Sequence, residues 1–516
     1  MCGITAYVGD DARARIDETR RLAERLRHRG PDDNGSHLCD RMALAHRRLS
    51  IIDLEGGRQP LTNEDGRVAL ICNGEIYNHR ELRSRLAGAH RFKTGSDSEV
   101  ILHLYEELGP DCVRELDGMF AFVLADGDRF LAARDPFGIK PLYVGRKGTG
   151  LWFASELKAL PADCDDISEL PAGSYMTEAG VTRWFEPDWV EPPAVPAPDD
   201  PVALRRALER AVEKRLMSDV PLGVFLSGGL DSSVVAAIVR KHIDGLHSFA
   251  VGLEGSPDLV AARRVAEHLG TRHHEYVYTA AEAEAVIPRV IEHLESYDPA
   301  LIESAVPCWF VSKLAAEHVK VVLSGEGADE VFAGYGYFAS VRDPVTLHRE
   351  CVRLLFGLHN MNLQRVDRMT MAHALEGRVP FLDRDFVALG MRRDPALKLT
   401  TADRPEKHML RRAVADLLPS EIVWRKKQEF AHGSGSAGIL SAHGEASVSD
   451  ADFARRAVLY PVDTPTTKAG FAYRRIFDEM FPGEARRKTV GRWHGRVPTS
   501  KEPSAGQEEQ PCRMQS

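Results

Sequence analysis

The sequence predicts two α/β domains in series, and three observations carry that prediction. Residues 1–185 mix short apolar strands with two helices of amphipathic spacing. Residues 186–201 then place six prolines in sixteen positions, which no core element tolerates. Beyond them strand and helix alternate, the pattern of a mostly parallel sheet with helices outside it. At 516 residues the chain has room for two or three domains.

In the first region residues 3–8, 68–72, 119–125, 130–133 and 151–154 are short apolar runs of strand length. Residues 14–28 and 97–108 repeat apolar positions at helical spacing, and Ser96 or Asp97 can cap the second. Residues 186–201 form a stiff, extended linker. In the second domain, 202–480, residues 202–217 are helical, 221–226 a short strand, and 232–241 the helix after it. Residues 246–253 and 319–324 repeat the strand signal, each followed by a helical stretch. The last segment, 481–516, is rich in Arg, Lys, Glu, Gln, Pro and Ser and reads as a disordered tail.

With 43% hydrophobic and 28% charged residues the composition is that of a globular protein. No apolar run is long enough to cross a membrane. No basic, apolar, small-residue leader is visible, so a cytoplasmic protein is expected. A net charge of −9 argues against a nucleic-acid partner. The eight cysteines show no CxxC pair and no metal-finger spacing, which suits reduced thiols. The pair His273-His274 reads as packing or solvated surface, because the sequence offers no third ligand beside it.

Cys2 is the first chemical signal. Removal of Met1 gives one residue with both a thiol and an α-amine, whose pKa of about 7.7–8.0 suits a general base. A thiol beside such a base can attack an amide carbon.

The second signal is Ser227-Gly228-Gly229-Leu230-Asp231-Ser232-Ser233, placed where a buried strand hands over to a helix. Its glycines admit an anion close to backbone, and the helix start favours negative charge. Asp231 would repel bare phosphate and so suits a bridging Mg²⁺. A second acidic turn, Ser324-Gly325-Glu326-Gly327-Ala328-Asp329, ends another strand. There Asp329 can supply a second carboxylate to Mg²⁺, and Glu326 can accept a proton. Together the two turns form the lips of one nucleotide site at the strand ends of an open sheet. The first turn resembles the pyrophosphate loop of the ATP-pyrophosphatase class, which splits ATP into AMP and pyrophosphate. No Walker A pattern is present.

Both regions resemble one family. Cys2-Gly3-Ile4, His28-Arg29-Gly30-Pro31-Asp32, Arg48-Leu49-Ser50-Ile51, Asn73-Gly74-Glu75-Ile76-Tyr77-Asn78 and Thr94-Gly95-Ser96-Asp97 look like a class II glutamine amidotransferase domain. The two acidic turns, Glu376 to Asp383, Glu406-Lys407-His408 and Trp424 to Lys427 look like the synthetase domain of glutamine-hydrolysing asparagine synthetases. The resemblance implies a four-layer αββα N-terminal-nucleophile hydrolase fold followed by a doubly wound, mostly parallel sheet of ATP-pyrophosphatase type.

It also implies roles. Cys2 attacks glutamine and its α-amine moves the proton, while Asn73 and Gly74 form the oxyanion hole. Arg48 holds the α-carboxylate of glutamine, and Asp97 with Glu75 its α-ammonium. Ser227, Gly228, Gly229, Asp231 and Ser232 hold pyrophosphate. Leu226, Val251, Ser324 and Gly325 meet adenosine. Asp231 and Asp329 hold Mg²⁺, Lys427 steadies the transferring phosphate, and Glu326 assists ammonia attack. Arg378 and Tyr335 are supporting positions with no assigned step. The implied substrates are glutamine, aspartate and ATP, the implied assembly is open and includes a homodimer, and an internal tunnel would carry ammonia.

Glu303 departs from the pattern, since aspartate-using relatives commonly have arginine there. A carboxylate facing an acidic acceptor is unfavourable. An amidotransferase acting on another carboxylate, a cell-wall or natural-product precursor, therefore stays open. An adenylating ring-closing enzyme and a silent scaffold also remain. The intact Cys2, Arg48, Asn73 and Asp97 argue against the first of these two, and the intact Asp231, Glu326 and Asp329 against the second.

Overall fold

Alternation along the first strand sets the architecture of the N-terminal domain. In the computed structural model, which describes residues 2–495, Cys2–Val8 is buried along its whole length. Ile4, Ala6 and Val8 point one way, into a core shared with Ala69, Ile71, Ala121, Val123 and Ala132. Tyr7 points the other way, with Trp152, against the helix Ala12–Glu24. A strand buried on both faces belongs to an inner layer. One antiparallel sheet runs, in spatial order, Asp166–Glu169, Tyr143–Lys147, Gly150–Ala154, Cys2–Val8, Met42–Arg48 and Asp33–Leu38. The second runs Gly180–Arg183, Ser174–Thr177, Arg129–Arg134, Gly118–Asp126, Val68–Ile76 and Leu61–Thr62. The outer face of the second sheet, through Leu70, Cys72 and Phe122, packs on Leu82, Leu86 and Leu104 of the helices His79–Leu86 and Val100–Leu108. The order of layers is helix, sheet, sheet, helix, as expected.

Two local readings are corrected here. The strand expected at 68–72 runs on to Ile76, because its ladder with Gly118–Asp126 continues through Asn73, Gly74 and Glu75. The helix expected from Asp97 begins as a 3₁₀ turn, Asp97–Glu99, with the Ser96 hydroxyl accepting from Ser98 N–H.

The 186–201 segment is strapped down rather than free. Trp189 is buried and stacks on Phe356, and its carbonyl faces His348 Nε2 at 2.9 Å. Ala197 N–H donates to the Arg392 carbonyl at 2.9 Å. Asp200 then caps the helix Pro201–Lys214 by accepting from Ala203 N–H.

The second domain is built on a five-stranded sheet in the order Arg272–Val277, His247–Gly252, Leu222–Phe225, Val321–Leu323, Glu376–Arg378, with every pairing parallel. The chain starts at Leu222–Phe225, builds two strands to one side, then crosses to the other. The loops after Leu222–Phe225 and Val321–Leu323 therefore part at the switch point, where open sheets bind ligands. The same pairing sets His274 beside strand His247–Gly252, with His247 Nδ1 2.9 Å from His274 Nε2 and the His318 ring 4.0 Å from that of His274. The missing third imidazole thus comes from distant sequence.

The disordered tail expected from 481 is also corrected, up to Gly495. Glu484–Arg487 is helical, Arg486 donates to the carbonyls of Pro161 and Ala162, and Trp493 N–H donates to Asp298. A guanidinium with two carbonyl partners and an indole packed on Tyr335 tie the segment down. Residues 496–516, the rest of that expectation, lie outside the described residues. Cys2, Cys39, Cys72, Cys112, Cys164, Cys308 and Cys351 are all free, and no described helix is long and apolar enough to cross a membrane.

Candidate active site

Strand parity brings the first set of residues together. Cys2 lies on the same face as Ile4 and Ala6, and Asn73 on the same face as Ala69 and Ile71, so both enter the seam between the sheets. Arg48 sits directly opposite Cys2 in the ladder, which places it on that face too. Cys2 N donates to Asn73 Oδ1 at 2.9 Å, and Arg29 Nε donates to the Cys2 carbonyl at 3.0 Å. Asn73 Nδ2 is buried with no hydrogen-bond partner. A donor kept dry and unspent is costly unless something else is meant to fill it. Burial pushes the Cys2 thiol up, so it needs a base before it can attack.

The rest of the pocket is held by backbone. Arg48 donates to the carbonyls of Leu54 at 3.2 Å, Ile52 at 3.1 Å and Asp53 at 2.6 Å, which fixes its plane. Asp97 Oδ2 accepts from Ile76 N–H at 2.6 Å. Burial, opposed by that bond, raises the Asp97 carboxyl to about 6, with Glu376 adding to the rise. Glu75 is pushed well above the carboxylate range by burial, then by Glu376 and Asp97. Position 74 admits only glycine, because a Cβ would lie 2.2 Å from the Met119 carbonyl oxygen of the next strand.

The second set lines a cavity of about 230 Å³ at the switch point, among them Leu226, Ser227, Gly229, Asp231, Ser232, Val251, Ser324, Gly325, Glu326, Asp329, Tyr335 and Lys427. Ser227 N–H donates to Ser232 Oγ at 3.2 Å, so the turn ties itself shut below the helix Leu230–Arg240. Gly228 does not line the cavity. It makes the turn, at φ 69°, where a Cβ would meet Ala261 backbone at 2.5 Å. Glu326 Oε1 accepts from Arg365 Nη2 at 2.7 Å. Tyr335 donates to Glu330 at 2.5 Å and accepts from Asn362 Nδ2 at 2.8 Å.

Asp231 and Asp329 converge on one ammonium, Lys407, and Lys427 pairs with the other oxygen of Asp329. Burial and these two lysines oppose each other at Asp329, and the lysines win, holding it at about 2. Asp231 Oδ1 is buried without a partner. Two hard oxygen donors that already share a cation at a phosphate turn fit a Mg²⁺ ion.

A family model described as a glutamine amidotransferase domain matches residues 1–186, and one described as asparagine synthase matches 203–344 and 338–497. A glutamine-hydrolyzing asparagine synthetase of Triphysaria versicolor is 46% identical, over 95% of this chain and 88% of its own. The chain belongs to the glutamine-hydrolysing asparagine synthetases. A second family member, asparagine synthetase 2 of Arabidopsis thaliana, is likewise 46% identical, over 95% of this chain and 89% of its own. Among solved structures, glutamine phosphoribosylpyrophosphate amidotransferase from B. subtilis shares 20% identity over 48% of this chain and 65% of that one; a TM-score of 0.30 gives the likeness no weight.

Against the family pattern, Glu303 does line the synthetase cavity, and burial raises its carboxyl, partly offset by His432. Arg378 does not line it. Its side chain points away, to Glu376 at 2.5 Å and to the carbonyls of Arg215 and Met217, both at 2.6 Å. Lys407, Arg365 and Glu376 were missed in the sequence. Glu406-Lys407-His408 was legible as a block, but nothing local says that Lys407 meets two aspartates. Glu376 likewise opens a motif with no local sign of its role. It bears on Asp97 and Glu75, although it belongs to the other domain.

Proposed function

We propose that the chain makes asparagine from aspartate, ATP and glutamine-derived ammonia, releasing AMP, pyrophosphate and glutamate. The observation that carries this is the survival of both pockets in one chain: Cys2 on Asn73 in one domain, and Asp231, Lys407 and Asp329 in the other. An enzyme that had abandoned either half-reaction has no reason to keep both.

In the first pocket the Cys2 thiol, relieved of its proton by the α-amine left after Met1 removal, attacks the side-chain amide carbon of glutamine. Asn73 Nδ2 and the Gly74 N–H take the oxyanion, ammonia leaves, and water later releases glutamate from the thioester. Arg48 faces the α-carboxylate with its charge and with the donors that its three carbonyl bonds leave, and Asp97 with Glu75 holds the α-ammonium. In the second pocket an aspartate carboxylate oxygen attacks the α-phosphorus of ATP. Ser227, Gly229 and Ser232 receive pyrophosphate on the turn that Gly228 shapes, Lys427 stands by the phosphate oxygens, and Leu226, Val251, Ser324 and Gly325 border the adenosine. Mg²⁺ held by Asp231 and Asp329 would neutralise phosphate charge. Glu326 takes a proton from ammonia as it displaces AMP. Tyr335 and Arg378 position their neighbours.

Ammonia crosses inside the protein in this reading, since ammonium formed in bulk water is no nucleophile. The domains meet through buried ion pairs: Arg29 bonds Glu156 and Asp367, and Arg368 faces Glu156 and Glu295. A cytoplasmic location is part of the same proposal.

Glu303 favours keeping a second reading, an amidotransferase for another carboxylate. Yet aspartate carries an ammonium that a carboxylate can receive, and Arg365, Arg425 and Lys427 also border the cavity. A panel of carboxylate acceptors with ATP and ammonia decides, scored by AMP and product mass. Aspartate is expected to give both AMP and asparagine. AMP with another acid alone would replace the acceptor, and no AMP with any acid would overturn the reading.

A further inference from the structure

A group of side chains outside both pockets converges on a point of its own. Glu64 follows the strand Leu61–Thr62, His90 follows the helix His79–Leu86, and His103 and Glu106 lie one turn apart on the helix Val100–Leu108. His103 Nδ1 is 3.1 Å from Glu106 Oε2 and 3.6 Å from Glu64 Oε2. His90 Nδ1 is 3.5 Å from both Glu106 Oε2 and Glu64 Oε1. Two nitrogens and two carboxylates thus face one another across edges of 3.1–3.6 Å. A tetrahedral ion with ligand bonds of about 2.0–2.1 Å has ligand-to-ligand edges of about 3.3–3.4 Å. The four imidazole-to-carboxylate separations lie near those edges, with Glu64 turning a different oxygen to each imidazole, and one ligand atom from each residue lies within 4.8 Å of the others.

What surrounds them fits the same occupant. The far nitrogen of each imidazole faces a further carboxylate: His90 Nε2 is 3.3 Å from Glu107 and His103 Nε2 3.8 Å from Glu99. At His90 the spacing suits a carboxylate–histidine–metal arrangement, which would fix the ring and make the ligating nitrogen more basic, whereas Glu99 lies beyond hydrogen-bond reach of His103 Nε2, which is buried without a partner. The second oxygen of Glu106 accepts from Asn63 Nδ2 at 2.8 Å, and Glu64 Oε1 accepts from Arg91 N–H at 2.7 Å. His103 is fully buried, so the group is not a loose surface patch. Four carboxylates surround two imidazoles; Arg83 lies 3.9 Å from Glu99, and Lys93 sends its ammonium to the Asn63 carbonyl and Thr62.

We propose that Glu64, His90, His103 and Glu106 form a structural site for a borderline divalent transition metal, for which Zn²⁺ is the best match to two imidazoles and two carboxylates. Mg²⁺ is disfavoured by the nitrogen donors. The ion would staple three segments of the glutaminase domain. Through Glu99 it also bears on the loop before Asp97, since Glu99 accepts from Lys93 N–H at 2.6 Å and Thr94 N–H at 2.8 Å.

The test uses tag-free full-length protein, stripped with chelator and returned to Mg²⁺ buffer, with Co²⁺ as a visible probe and Zn²⁺ as competitor. One Co²⁺ per chain is expected, with tetrahedral absorption, displaced by Zn²⁺ and accompanied by a higher melting temperature. His90→Gln and Glu106→Gln, both at partly exposed positions, are each expected to weaken binding at least about tenfold. His274→Gln, in the separate His247–His274–His318 group, is expected to leave it unchanged. No saturable binding at micromolar metal would overturn the site, and the four groups would then be ordinary histidine–glutamate pairs. Binding that survives both His90→Gln and Glu106→Gln, or disappears in His274→Gln, would place the metal elsewhere and also overturn it.

Discussion

Arg378 Nη2 stands 3.7 Å from Glu75 Oε1, so a residue of the parallel sheet reaches into the pocket proposed for glutamine in the other domain. Its carbonyl meanwhile accepts from Ser324 N–H, on the nucleotide loop, at 2.9 Å. One residue therefore touches both pockets, by side chain at one end and main chain at the other. Arg378 is fully buried, and Glu75 and Glu376 both depend on it for countercharge. Removing one partner of such a cluster leaves uncompensated buried charge, at a cost of about 3–5 kcal/mol. Arg378→Gln is expected to lower the denaturant midpoint accordingly and to raise the glutaminase KM. Unchanged values for both would mean that the contact is incidental.

Asn73→Ala removes the unspent donor beside Cys2. Loss of one such donor typically costs about 10²–10³ in kcat. The glutaminase reaction is expected to fall by that factor, while synthesis from added ammonia keeps its rate. Equal loss of both reactions would show that Asn73 holds the fold and not the oxyanion.

Asp97 predicts a pH dependence whose sign follows from its direction of shift. Its carboxyl is raised to about 6, by burial first and Glu376 next. As pH falls through that value Asp97 takes up a proton and loses its attraction for an ammonium. Glutamine KM is expected to rise between about pH 8 and about pH 5, and Asp97→Asn to flatten that slope from a higher baseline. Stability carries the opposite sign: a raised carboxyl is a cost to the fold above its pKa and is relieved on acidification. Glu75 faces the same space and is also raised, whereas Glu376 is held at about 2 by Arg378 and Lys140 against its burial, so a slope unchanged in Asp97→Asn would move the titration to Glu75.

Lys407→Met leaves Asp231 and Asp329 facing each other without their shared ammonium. AMP formation is expected to drop by at least about a hundredfold. Glutamine hydrolysis, in the other domain, is expected to continue. Pyrophosphate release at the wild-type rate would remove Lys407 from the site.

Glu303→Gln tests the departure from the family pattern. If the carboxylate receives the ammonium of aspartate, its loss raises the aspartate KM about tenfold or more. A lower KM would show repulsion instead and favour a different natural acceptor.

Short motifs were legible because their chemistry is local. Ser227 to Ser233 needs only a strand end, two glycines and a helix start, all of them contiguous. Asn73, Gly74 and Glu75 were readable by resemblance, although the apolar signal stopped at Cys72 and hid the strand that carries them. Lys407, Arg365 and Glu376 were not readable, because a charged side chain in sequence looks the same whether it is solvated or meets an opposite charge from a distant segment. The helix and indole of residues 481–495 were hidden for the same reason: a polar composition does not disclose the carbonyls waiting for Arg486.

By itself the sequence determined the order of the two domains, the strand–helix alternation, the N-terminal position of Cys2 on a first strand, and the two acidic turns. Each depends on neighbours in the chain, where spacing and side-chain type suffice. Only the tertiary structure decided which charges meet: Arg378 with Glu75, Lys407 with Asp231 and Asp329, and Glu64 with His90, His103 and Glu106. Such pairings form between segments far apart in the chain, and their strength comes from burial, which no single stretch of residues specifies.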